Sequence, residues 1–333
     1  MVSLVKSIYS TLAFFDAQDL PLTLMEIRGY LVAVTPHLTS PTRGEERGVS
    51  FPQSFPPLDP DTPVGVDGEG KGGVNLEANL SDIEKILQSE LADKIHYANG
   101  FYFLAGRADL VVLRRQKYQI SLGRMRKAKK MLSFLRFLPY LRAAAISGSL
   151  ALLNSSGNSD IDLFIIVKKN RVWIARMFVS LFFQLLGQRR HGQKISARFC
   201  LNHYLAADTL ITRDKNLYTA VEYASLLPVL GEKEFVKFWQ ENSWIKIYLP
   251  DPRYQQANHF FKTNFSVWQK FAEAVLDCTI GPALNYLSGI YQKRRIKTQE
   301  YILVSDSELS FHPGSRGQKV LSQFQENLDR SHT

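Results

Sequence analysis

Ile146-Ser147-Gly148-Ser149, followed after ten residues by Asp160-Ile161-Asp162-Leu163-Phe164-Ile165-Ile166-Val167, is the stretch that decides the fold of this chain. Residues 143–146 and 160–167 are apolar runs of strand length, bounded by turn formers. On a strand, residues two apart share a face. Asp160 and Asp162 therefore project side by side, and Ile161 and Leu163 project the other way. Two carboxylates held so close repel unless a cation neutralises them. Oxygen-only ligands favour Mg2+ or Mn2+, and a pair of such ions clamps the attacking and leaving oxygens in phosphoryl transfer. Gly148 lets the backbone approach a ligand without a Cβ in the way. The amides near Ser149, at the start of a helical turn over 150–153, offer donors to a triphosphate, and the Ser149 hydroxyl adds another. Ser159, at the end of the polar loop 154–159, is a further nucleotide-binding candidate. Taken singly, Asp-x-Asp is a solvated strand edge and Gly-Ser is a turn. Their placement at the ends of two apolar strands is what points to a site.

Working outward, residues 114–138 read as a basic helix broken near Gly123 and ending before Pro139. Residues 171–186 read as a buried helix, with Trp173, Phe178, Phe182 and Phe183 as core, stopped by Gly187. Arg189, Arg190 and His191 follow that helix end, where cations are favourable; a phosphate role is the lesser reading. Residues 195–205 form the next strand. The remainder is mainly helical, with a last unit over 301–328 that holds a strand and a helix. Upstream, residues 3–17 read as a helix with Leu4, Ile8, Leu12 and Phe15 on one face. Thr23 and Glu26 form a capping box for a second helix over 24–32, and Ser81 caps a third over 81–94. Ala98-Asn99-Gly100 between two aromatic runs is a hairpin signal. Residues 35–80, rich in Pro, Gly, Ser and Asp, are expected to be a disordered insertion. Three helices and a hairpin describe a winged helix. Its third helix carries Asp82, Glu84, Glu90 and Asp93 against only Lys85 and Lys94. That balance suits a docking module better than a reader of DNA, whose phosphates supply most of the affinity.

The spacing Gly148-Ser149-x10-Asp160-Ile161-Asp162 resembles the signature of the nucleotidyltransferase superfamily that includes DNA polymerase beta. The likeness covers residues 143–205. It implies that Gly148 and Ser149 bind nucleotide phosphates and that Asp160 and Asp162 bind divalent metals, with an NTP as substrate. It implies an α/β (α+β) core, a short mixed sheet with flanking helices. The superfamily places a third acid on the next core strand. Here that strand reads Ile195 to Leu205 with no Asp or Glu. Asn202 or His203 on the strand, Asp208 just after it and Glu222 on the following helix are the candidates for base or third ligand.

The expected organisation is a winged-helix-like domain over 1–106, a basic connector over 107–142, a nucleotidyltransferase domain over 143–225 and a helical region over 226–333. Forty-one Lys/Arg against 31 Asp/Glu leave a net charge of +10 in 333 residues. Ten of those cations lie between residues 114 and 142, with no acid among them. That segment is either a solvated helical face or an attractant for nucleic acid or a triphosphate. Two cysteines exclude a disulfide scaffold and fit a cytoplasmic protein. No apolar run is long enough to span a bilayer, so no membrane partner is expected. Two functions follow as expectations. One is metal-dependent transfer of a nucleoside monophosphate from an NTP to an acceptor hydroxyl, with release of pyrophosphate. The other is a non-catalytic module of the same fold that binds nucleic acid or protein.

Overall fold

A computed structural model describes residues 3–33, 79–252, 264–296, 302–311 and 315–330. The insertion expected over 35–80 lies almost wholly outside the described residues. The N-terminal unit holds α1 (Leu4–Asp16), α2 (Leu24–Gly29) and α3 (Leu80–Gln88), then β1 (Ile95–Ala98) and β2 (Phe101–Leu104). The Thr23–Glu26 capping box is present. Asn99 and Gly100 both take positive φ, as a two-residue hairpin turn requires. α3 is shorter than the apolar pattern suggested. Its N-cap is Asn79 rather than Ser81, and residues 89–94 leave the helix as turns before β1.

α4 (Asp109–Ser133) runs unbroken through Gly123, against the expected break. A mid-helix glycine costs about 1 kcal/mol relative to alanine. Tertiary anchoring on both sides offsets this: Lys117 and Arg124 hold neighbouring carbonyls, and Ala128 and Leu132 are buried.

A six-stranded mixed sheet follows, in the order β6-β3-β4-β5-β8-β7. β3 is Leu141–Ser147, β4 Ile161–Val167 and β5 Phe199–Ala206. β6 is Leu227–Leu230, β7 Leu303–Val304 and β8 Glu308–Ser310. β3 and β4 are antiparallel, and β4 and β5 are parallel. The connection between the parallel strands β4 and β5 passes through α6 (Val172–Leu185). β6 sits at the edge, where Pro228 lacks no ladder partner it needs. The region beyond 225, expected to be helical, thus also supplies three strands of the same sheet.

Every residue of β4 is buried because both sheet faces are covered. One face packs against α4, α6 and α11 (Gly281–Arg295) through Ile146, Leu163, Ile165, Val172 and Val179. The other carries Ala143, Ala145, Phe164, Ile166 and Leu205. These share one core with α7 (Leu217–Ala224), α8 (Glu232–Glu241), α9 (Ile245–Tyr248), α12 (Ser315–Asp329) and the N-terminal helices. α12 lies on α1, with Phe324 against Phe14 and the Asn327 amide donating to the Ala13 carbonyl at 3.0 Å. The N-terminal unit is therefore continuous with the sheet's own core.

Candidate active site

β3 ends at Ser147, opposite Asp162 on β4. The chain then turns through Gly148 into the single helical turn α5 (Gly148–Ala151). Gly148 has φ +63°, and a Cβ there would lie 2.6 Å from Asp162 Oδ2. Only glycine meets both conditions: L-residues avoid that φ, and any side chain would collide with the carboxylate. The Gly-Ser motif and the second aspartate of the Asp-x-Asp motif are thus in contact.

Asp160 and Asp162 do project together. With Cys200 on β5 they place three potential ligand atoms within 4.8 Å of one another. Asp162 is 8% exposed, and its Oδ1 accepts from the Asn202 amide. Asp160 Oδ2 accepts from Arg190 Nη1 at 2.6 Å. The same nitrogen lies 3.4 Å from Cys200 Sγ. Burial and the charges of Asp162 and Asp160 push the Cys200 thiol up to about 12. It therefore stays protonated at neutral pH and donates to Asn202 Oδ1.

A bulge brings these groups together. Asp162 pairs with Cys200, but Phe164 pairs with His203, so two steps on β4 match three on β5. Asn202 and His203, neighbours in sequence, consequently sit on the same side of the sheet. Asn202 reaches Asp162. His203 lies one pairing step farther on, with its ring 4.6 Å from Phe164 and Nε2 3.1 Å from Glu308 Oε1. His203 thus joins β5 to β8. Asp208 pairs with Lys169 at 3.1 Å, past the opposite end of β4 and β5. Ser159 Oγ accepts from the Ser156 amide at 3.0 Å and braces its own loop. Of the four candidates for the third acid's role, Asn202 donates to an aspartate of the pair, Asp162.

Glu222 is 9% exposed and lines a cleft that opens beside Gly148 and Ser149. Gln18 from the N-terminal unit, Tyr218 from α7 and Arg316 from α12 complete its walls. Asn154 Nδ2 donates to the Gln18 carbonyl at 2.9 Å and so closes the floor. Gln18 Nε2 and Asn154 Oδ1 are buried with no hydrogen-bond partner among the described residues.

The basic segment is divided. Arg115, Arg126, Lys129, Lys130 and Arg136 are exposed. Arg114, Lys117 and Arg124 are buried along one face of α4. Arg114 pairs with Glu26 at 2.8 Å and donates to the Leu152 carbonyl. Arg124 donates to the Ser156 and Gly157 carbonyls, and Lys127 to that of Ala197 at 2.6 Å. Ser121 Oγ accepts the Ser155 amide at 3.0 Å. Sequence spacing shows the charges but not that half of this face grips the loop carrying the site. Cys200 was likewise not identifiable as a site residue, and Arg190 stood out only as a helix-end cation with a phosphate role as the lesser reading, since a bulge and a loop closure bring them to the aspartates.

No protein-family model, curated protein or solved structure matches this chain. No helix among the described residues is long and apolar enough to cross a membrane.

Proposed function

We propose that the chain is a metal-dependent nucleotidyltransferase of the DNA polymerase beta type, which moves a nucleoside monophosphate from an NTP to an acceptor hydroxyl. One observation carries this reading. The carboxylates of Asp160 and Asp162 lie together, with Asp162 against Gly148, and Gly148 and Ser149 line a cleft beside them. Asp160 and Asp162 are the ligands for Mg2+ or Mn2+. The donor set fits such ions, because Asp160 and Asp162 offer two hard carboxylate oxygens. The bound metal supplies charge neutralisation for the triphosphate. Gly148, Ser149 and Arg316 line the wall that would take its phosphates. Glu222, in the same cleft, is the acid placed to accept a proton from an acceptor hydroxyl. Pyrophosphate release and label transfer, measured with each NTP and Mg2+ or Mn2+, test the proposal. No turnover across a broad acceptor set, with no NTP or metal binding, sinks it.

The second reading is a non-catalytic module of the same fold that binds nucleic acid or protein. What favours it is that protein groups already meet both carboxylates: Arg190 on Asp160 and Asn202 on Asp162. The exposed cations of α4 offer the surface for a nucleic acid. This reading expects binding that weakens steeply with salt and that survives Asp160→Asn combined with Asp162→Asn.

A further inference from the structure

Arg190 is the feature of the site that the reaction above leaves unused. Its backbone is fixed: the Arg190 amide donates to the Phe199 carbonyl at 2.9 Å, and the Phe199 amide donates to that of Gln188 at 2.8 Å. The side chain reaches from there to Asp160 and Cys200 through a single nitrogen, Nη1. It is 43% exposed, whereas Asp160 is 13% exposed. A guanidinium has five N–H donors in a planar fork, so a one-nitrogen contact at the solvent boundary leaves capacity for another anion. The other nearby cation, Arg124, differs. It is buried and committed to the Ser156 and Gly157 carbonyls.

We propose that Arg190 is a tethered cation that occupies Oδ2 of Asp160 and competes with divalent metal for that carboxylate. The nucleotide's phosphates draw Arg190 away, so metal and nucleotide bind cooperatively. This inference rests on the metal–nucleotide reading of the site.

Asp160 and Asp162 repel, and Arg190 relieves that repulsion while no metal is bound. A divalent ion on the Asp160 carboxylate would then sit within a few ångströms of a guanidinium, and the two cations would oppose each other. The conflict ends if the guanidinium leaves. Phosphate oxygens are its preferred alternative, since they accept its parallel N–H donors two at a time. A ligand that captures Arg190 thus raises metal affinity. Linkage requires that metal raises affinity for that ligand by the same factor.

Mn2+ titration by electron paramagnetic resonance tests this, on the full chain with and without a non-hydrolysable NTP analogue. The wild type is expected to bind Mn2+ weakly alone and about tenfold more tightly with the analogue. Arg190→Gln is expected to bind Mn2+ about tenfold more tightly than wild type without the analogue, and to gain little when it is added. Arg190→Lys keeps the charge and should stay close to wild type. Melting curves establish that the variants fold, and Arg190→Met replaces Arg190→Gln if the latter does not. Equal Mn2+ affinity in wild type and Arg190→Gln, or weaker affinity in the variant, overturns the inference and leaves the metal reading intact. Absence of Mn2+ binding in every protein overturns both.

Discussion

Gly148 and Asn202 are the two residues on which the proposed chemistry can be tested most directly. Gly148→Ala places a Cβ 2.6 Å from Asp162 Oδ2 at a φ of +63°. Strain of this kind costs about 1–3 kcal/mol, and relief requires that Asp162 move. The variant is expected to melt lower and to lose Mn2+ binding together, in a thermal scan and a metal titration. A lowered melting point with unchanged Mn2+ affinity would show that Asp162 is not a ligand. Asn202 lies on β5 with its amide on Asp162, so an acid there would adjoin the proposed metal site. Asn202→Asp removes that donor and adds a like charge, so the metal-free protein is expected to lose stability. Added Mn2+ should restore it, and pyrophosphate release should rise above wild type. A variant that Mn2+ does not rescue would show that residue 202 cannot reach the metal. The Asp160–Asp162 pair was legible in sequence because strand alternation is local. Asn202 is only one of several candidates on sequence grounds. Its place depends on a bulge that shifts β5 by one residue against β4, and a non-local register of that kind leaves no mark on spacing.

α4 shows how an element can be recognised correctly while its role is missed. Its charges were evident, and so was its helical character, but composition does not separate an exposed lysine from a buried one. Arg114, Lys117, Ser121 and Arg124 recur every three or four residues and mark the face turned inward. That face positions the loop between β3 and β4. Arg124→Met removes the donors to the Ser156 and Gly157 carbonyls and leaves those acceptors without that partner. A loss of about 1–3 kcal/mol is expected, along with weaker nucleotide binding as the loop loosens. Arg126→Met, on the exposed face, should change stability by less than about 0.5 kcal/mol. Denaturant melts of the two variants compare these directly. Equal effects would mean that the inward face does not anchor the loop. The exposed face remains available to a polyanion, and Arg126→Met tests that role by its salt dependence alone. The N-terminal unit followed the same course. Capping and turn chemistry gave away its helices and hairpin, while its merger with the core under α7 and α12 depends on contacts between distant segments.

The sheet has the candidate site at one end and a clamp at the other, and this division lets stability and the proposed function be separated in the whole molecule. Ser147 and Asp162 mark the site end, whereas Leu141 and Val167 pair at the far end. There, α10 (Val267–Cys278) brings two acids to the sheet. Glu273 pairs with Arg142 at 2.7 Å and accepts from the Tyr140 amide at 2.6 Å. Asp277 accepts from Lys168 at 2.6 Å, from Arg171 at 2.9 Å and from the Tyr140 hydroxyl at 3.1 Å. Burial raises the Asp277 carboxyl, but hydrogen bonds from Lys168, Arg171 and Tyr140 outweigh it and hold the group below its ordinary value. A carboxyl depressed in the folded state stabilises the fold above its unfolded value, about 3.9, and that stabilisation is lost as pH falls through the folded value. Tyr140 shifts the other way. Burial, then its bond to Asp277, pushes the phenol up to about 12. Its contribution is fully present below the unfolded value, about 10, and disappears as pH rises through about 12. Asp277→Asn is therefore expected to cost about 1–3 kcal/mol near neutral pH, with the gap to wild type closing below about pH 4. Tyr140→Phe should flatten the loss of stability above pH 10. Both variants should bind Mn2+ like wild type, because the clamp lies at the far end of β3 and β4 from Asp160 and Asp162. Melts of wild type and both variants across pH, paired with one metal titration at neutral pH, measure this. A gap between wild type and Asp277→Asn that persists unchanged into acid would show that the Asp277 charge does not hold α10 to the sheet.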